Sequence, residues 1–305
     1  MKNPGFLALA AALTLLPSLG ADSPPDAAAG GLRFSIAVTK FENKSNYSGP
    51  LQLSDAWGTM LTDSLQNSGH FIVLGEADMR SAAMAEQDFA ASGRTAGGDK
   101  KPVTGQMTPA QLLVKGAITN FQATSGQHGG LGFGGIHVGG GGDTAEINVT
   151  IYVVDSTTGQ VVASKAVVGQ AKSSGLSVSF SERDYSGDMG GFKKTNVGTA
   201  CQKAIDEAVA FISGQIPSLH WSGSIILVKG TQVYINRGTR EGVATGQTFK
   251  VGSSEVLRDP STGETLDVAF TEKGKIKVDV AKEKIAICTI VSGDGIANGM
   301  SVAPP

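Results

Sequence analysis

The stretch TAEINVTIYVVDSTTGQVVASKAVV, residues 144–168, constrains the fold more than any other. Ile147, Val149, Ile151 and Val153 alternate with polar residues, a period of two that places all four on one face of a strand and suits no helix. STTG then supplies a turn, and Val161 and Val162 begin a return strand, so the segment reads as an antiparallel hairpin with one face in a core.

The flanking sequence decides what covers that face. Phe34, Ile36 and Val38 alternate as a first strand, and LLVKGAITNFQAT predicts a long strand just ahead of the hairpin. Ser54 is placed to cap a helix over DAWGTMLTDSLQN, with Trp57, Met60, Leu61 and Leu65 on one face and Gly69 at its stop. HFIVL reads as a short buried strand, and EADMRSAAMAEQDFAA as a second helix opened by acidic residues. Thr108, Pro109 and Gln111 form a helix-capping signature with proline at the first helical position. A long amphipathic helix over about 199–215 ends the region. Strands and helices in this order predict a layered α/β (α+β) domain over 32–216. PSLHWSG, 217–223, reads as a linker. Residues 224–305 are strand-rich with close turns, among them LRDPSTGE, and predict a small all-β barrel or sandwich.

The N-terminus carries a lysine, an apolar run from Phe6 to Leu16 and small residues at Ser18 and Gly20, the pattern of a secretory signal peptide over 1–21, followed by a linker at 22–31. The expected location is the periplasm. No cysteine stands at position 21 to take a lipid, so membrane attachment would depend on other segments or on a partner. Lysine and arginine total 25 against 27 acidic residues, which leaves no strong field for nucleic acid. Cys201 and Cys288, in a helical and a strand pattern respectively, read as isolated buried thiols.

Two glycine-rich stretches interrupt the first domain, at about 124–144 and 172–198. The first contains GLGFGG, a literal match to the dinucleotide-binding pattern. That chemistry needs a helix N-terminus after the glycines, whereas here more glycine and another strand follow. His128 and His137 lie in the same stretch without a third metal ligand. No Gly-x-Ser-x-Gly elbow occurs, and His70 and His220 flank a strand start and the 217–223 linker. Glu76, Asp78, Asp143 and Glu146 are carboxylates with no spacing that pairs them. The expectation is a protein without catalytic, cofactor or metal sites.

RFSIAVTKFENKSNYSG, GTMLTDSLQNSGHFIVLGEADMRSAAMAEQ and MTPAQLLVKGAITNFQATSG, with the hairpin that follows, together resemble the CsgG family of outer-membrane curli secretion channels and their relatives. The resemblance spans about residues 33–215. VYINRGTREGVATGQTFKV and LRDPSTGE resemble a small β module found at the end of flagellar-envelope proteins.

The first resemblance implies a ring of identical subunits, each giving two β-hairpins to one transmembrane barrel, with the hairpins at the two glycine-rich stretches. Candidate lipid-facing residues are then Leu131, Phe133, Ile136 and Val138 in the first, and Leu176, Val178 and Phe180, alternating with serines, in the second. The loop after the first strand, which lines the pore constriction in channel members, is short here and keeps Tyr47 as its one aromatic. The function implied is assembly or secretion of surface polymers at the outer membrane, with an exported polypeptide or envelope-assembly proteins as partners. The alternative is a soluble periplasmic module that supports a cell-wall synthase or the flagellar basal body without a pore.

Overall fold

In the computed structural model, the described residues are 31–47, 52–99, 101–124, 144–172 and 195–305. Strands β5 (Thr144–Asp155) and β6 (Val161–Lys172) form the expected hairpin, paired from Thr144↔Lys172 to Val154↔Val161. Ile147, Val149, Ile151 and Val153 are fully buried. Each contributes about 1.5–3 kcal/mol relative to an exposed position.

Strand β4 (Leu112–Thr124) pairs antiparallel with β5 on its other edge. β1 (Phe34–Val38) lies parallel to β4, with β2 (Glu42–Asn43) continuing along the same edge and β3 (Phe71–Val73) outside β1. The sheet order is β3-β1-β4-β5-β6. Helices α1 (Leu53–Ser68) and α3 (Asn196–Ser213) contribute to the same core, through Trp57, Met60, Leu61 and Leu65 from α1 and Ala200, Ala204, Ile205, Ala208 and Ile212 from α3. Val168, on the opposite face of β6, is exposed.

Gly169 sets how close α3 can come. A Cβ there would lie 1.8 Å from the Ala200 carbonyl oxygen, so only glycine lets the helix backbone rest on β6. Lys165 and Glu207 join strand and helix at 2.8 Å, and that lysine holds the Glu207 carboxyl below its ordinary range.

Three local expectations change. α1 starts one residue before Ser54, with Gln52 as its N-cap and no side-chain cap bond. No helix forms at Thr108–Gln111. The Gln111 side chain instead accepts from the Ser35 backbone N–H at 3.0 Å, and Ser35 Oγ donates to the Pro109 carbonyl at 2.7 Å, so strand β1 takes the groups that a cap would have used. The last helix begins at Asn196, because Thr195 Oγ1 accepts from the Gly198 N–H at 3.0 Å and caps it there. Helix α2 (Ala77–Ala91) forms as expected but lies on the surface, with Ala90 its one buried residue.

The C-terminal region is a closed six-stranded barrel in the order β10-β11-β8-β7-β12-β9, which decides between barrel and sandwich. Its strands are β7 (Gly223–Lys229), β8 (Gln232–Ile235), β9 (Thr248–Arg258), β10 (Thr265–Ala281), β11 (Ala286–Gly293) and β12 (Ser301–Ala303). Phe249, Val251, Ile276, Val278 and Cys288 point inward. Trp221, just before β7, is buried and stacks on Phe249 with ring centroids 5.3 Å apart.

The barrel is fastened to the sheet region near Glu241. The Arg33 N–H donates to the Glu241 carbonyl at 2.9 Å, and Arg240 reaches Thr108 Oγ1 at 3.3 Å. The buried Glu241 carboxylate accepts from Gly238 N–H and from Arg240, which satisfies it.

Candidate functional site: one end of the sheet

The two glycine-rich segments are rooted side by side. Thr124 pairs with Thr144, and Thr144 pairs with Lys172, so three chain ends stand in one row across β4, β5 and β6. Neighbouring strands lie about 4.8 Å apart, which spaces the roots as adjacent strands of one sheet. Two rows inward, Gln170 Nε2 donates to Glu146 Oε2 at 2.9 Å, and Lys203 from α3 donates to the Gln170 carbonyl at 3.0 Å. These bonds hold the end of β6 against both β5 and the helix. Leu131, Phe133, Ile136 and Val138, and likewise Leu176, Val178 and Phe180, lie outside the described residues.

Tyr47 comes to the same end. Its ring meets Phe121 of β4 edge-on, with centroids 4.7 Å apart, and its carbonyl accepts from Asn43 Nδ2 at 2.8 Å. Asn46 takes the left-handed conformation at φ 59°, which asparagine tolerates in a turn.

The sequence reading missed Phe121. In β4, Leu112, Val114 and Ile118 face inward at even positions. A register shift between Ile118 and Asn120 adds one residue, after which Phe121 pairs with the buried Ile147. An unbroken period of two sends Phe121 to the wrong face.

Cys201 and Cys288 are free and buried. Burial pushes both thiols up to about 12, with Asp279 adding to the effect at Cys288, so neither offers a thiolate near neutrality. An open groove of about 550 Å3 between α1 and α3 is lined by Asp63, Asn67, His70, Gln202 and Asp206. Its carboxylates accept from Asn67 and Gln202 amides. Glu76 and Asp78 stand at the start of α2, while Glu146 is on β5; Asp143, His128 and His137 lie outside the described residues. Among the described residues, no group of three His, Cys, Asp or Glu could hold a metal ion. The first described element after GLGFGG is strand β5, not the helix a dinucleotide site requires. No described helix is long and apolar enough to cross a membrane.

The molecule is thus a mixed α+β sheet region, with both glycine-rich segments rooted at one sheet end, and a closed β-barrel. The chain belongs to the family described as curli production assembly/transport component CsgG, which matches residues 25–245 and so reaches past β8 into the barrel. That membership supports a role in assembly or transport at the cell envelope.

No curated protein matches the chain significantly. It is similar to solved structures at low identity. One is a hypothetical protein, CT253, from Chlamydia trachomatis, at 16% identity and TM-score 0.40, covering 61% of this chain and 99% of that one. A PelC dodecamer from Paraburkholderia phytofirmans gives 13% and 0.31, covering 59% and 89%. The LpoB C-terminal domain from Escherichia coli gives 17% and 0.26, covering 49% and 87%.

Proposed function

We propose that this protein is a non-enzymatic, homo-oligomeric subunit of an assembly or secretion complex at the outer membrane, exported through its N-terminal segment. Each subunit contributes the segments at about 124–144 and 172–198 as two hairpins of a shared barrel, with Tyr47 in the loop at the pore constriction. An exported polypeptide or envelope-assembly proteins are its partners. The division into a sheet domain over 32–216 and a barrel domain over 224–305 belongs to the same reading.

The observation that carries it is the row Thr124, Thr144, Lys172. A shared barrel needs both hairpins of a subunit to leave together, and neighbouring strands of one sheet end supply that geometry. Family membership supports it independently.

Carbonate and urea washing of cell envelopes tests the proposal. Retention of an oligomer in the detergent-soluble outer membrane is expected. Complete release as a soluble monomer overturns it in favour of the poreless periplasmic module. Replacing 174–193 with a short Gly-Ser linker, which leaves Lys172 and the Thr195 cap in place, should abolish conductance in liposomes.

A further inference from the structure

β9 and β10 do not end where the barrel does. Beyond Gly252 and before Gly274 they continue as a two-stranded arm, paired from Glu272↔Gly252 to Thr265↔Arg258, and every residue of 253–258 and 265–272 is exposed. Pairing with β12 stops at Gly252 and pairing with β11 at Gly274, so among the described residues nothing pairs with either edge of the arm. A lone two-stranded hairpin is marginal in water, and open edges of this length are templates for another strand.

The turn fixes which backbone groups the β10 edge offers. It closes with the Asp259 N–H on the Glu264 carbonyl at 2.8 Å and the Gly263 N–H on the Asp259 carbonyl at 2.9 Å. Hydrogen-bonded and non-hydrogen-bonded pairs alternate along an antiparallel ladder, so counting along β9 from Asp259 makes Val256↔Val268 and Ser254↔Phe270 non-hydrogen-bonded pairs. The N–H and C=O groups of Val268 and Phe270 therefore point away from β9, to the open edge. There the Val268 N–H donates to the carboxylate of its neighbour Asp267 at 2.8 Å, in the place that a partner strand's carbonyl would take.

The two faces of the arm differ in chemistry. Val256, Val268 and Phe270 lie on one, with Val268 52% exposed. Glu255 and Asp267 lie on the other, with the small Ala269 directly opposite Glu255. Within 253–272, Glu255, Asp259, Glu264, Asp267 and Glu272 stand against Arg258 alone, and Arg258 belongs to β9. A cationic partner is therefore favoured at the β10 edge, whereas a second copy would bring an arm of the same negative sign.

We infer that the β10 edge over residues 267–271 receives, as an added antiparallel strand, an extended polypeptide segment in which apolar and basic residues alternate. Its apolar residues stand opposite Val268 and Phe270 and widen the apolar face. Its basic residues fall on the other face beside Asp267 and extend over Ala269 toward Glu255, two strand spacings or about 10 Å away. As the strand docks, the Val268 N–H passes from Asp267 to the partner's carbonyl, which frees that carboxylate for the partner's cation. One register satisfies both faces, because arm and partner share the period of two. The contact lies beyond residue 245, where the family match ends, and it needs neither the shared pore nor the homo-oligomer.

Capped seven-residue peptides titrated into the full chain test it, read through the backbone amide resonances. An alternating Lys–Val peptide should shift the amides of residues 267–271 most, and should bind about tenfold or more tightly than an alternating Glu–Val peptide. Residues opposite Val268 and Phe270 aim their own N–H groups at the arm. N-methylation of the peptide's valines should therefore abolish binding, while N-methylation of its lysines, whose N–H groups face away, should leave it within about twofold. Glu255→Lys/Asp267→Lys, at two exposed positions and with the fold checked by thermal melts, should reverse the preference to the Glu–Val peptide.

Equal binding of the two N-methylated peptides overturns strand addition, because an ionic contact alone does not distinguish them. A reversed arm that still prefers the Lys–Val peptide overturns the basic partner. Unshifted amides at 267–271 under millimolar Lys–Val peptide overturn the site, as does a wild-type chain that dimerises through these residues without peptide. Each of these results leaves the envelope complex standing, since membrane retention and conductance test that proposal separately.

Discussion

The β5–β6 and β9–β10 hairpins turn with one set of hydrogen bonds. In DSTTGQ, Asp155 Oδ1 accepts from the N–H groups of Thr157 and Thr158, Thr158 Oγ1 accepts from Gln160, and Gly159 sits at φ 72°. In DPSTGE, Asp259 Oδ1 accepts from Ser261 and Thr262, Thr262 Oγ1 from Glu264, and Gly263 sits at φ 75°. In both, the aspartate N–H closes on the carbonyl of the residue after the glycine. Past the turns the hairpins differ. β5 is fully buried on one face under α3, whereas the distal half of β9–β10 is exposed on both. A turn code therefore specifies that two strands reverse and pair; it does not say whether anything will cover them.

Predictions that break or sharpen this contrast begin with Gly169→Val. Its side chain would meet the Ala200 carbonyl, and chemical denaturation should register a loss of about 3 kcal/mol or more. Ala269→Val on the arm should change stability by less than about 0.5 kcal/mol. Next, Ile151→Ala empties a fully buried site and should cost about 2–5 kcal/mol, while Val268→Ala should stay within about 0.5 kcal/mol in dilute monomer. Equal costs for the two would mean that the arm is covered within its own chain.

Lys165→Ala removes a half-exposed pair with Glu207 and should cost no more than about 0.5–1 kcal/mol, an effect that fades in high salt. The smallest effect concerns Asp259. Hydrogen bonds from Ser261 and then Thr262 hold its carboxyl below the ordinary 3.8. A carboxyl lowered on folding contributes above its unfolded value and loses that contribution as pH falls through the lowered one. The amide resonances of Ser261 and Thr262 should therefore titrate together below pH 3.8, without global unfolding. A midpoint above 3.8 would remove this account of the turn.

Much of the sheet region was legible because its signals are local. Trp57, Met60, Leu61 and Leu65 repeat at helical spacing, the β5 residues repeat at two, and both periods survive into the core. Failures came where a distant partner competed. Gln111 resembles a helix cap until Ser35, 76 positions away, claims its side chain. Phe121 was lost to one extra residue in β4, which no pattern within β4 announces. The candidate site was legible as two interruptions but not as one place, since the adjacency of residues 124, 144 and 172 exists only once the strands pair.

The sequence alone determined the periods, the turns and the glycine-rich interruptions, because each depends on residues within a few positions of one another. The tertiary structure decided that the roots of the two interruptions share a sheet end, that Tyr47 packs on Phe121 near that end, and that the second hairpin projects as an exposed arm beyond the barrel. Those relations depend on long-range pairing and on what packs over a strand, and neither is encoded in any single stretch.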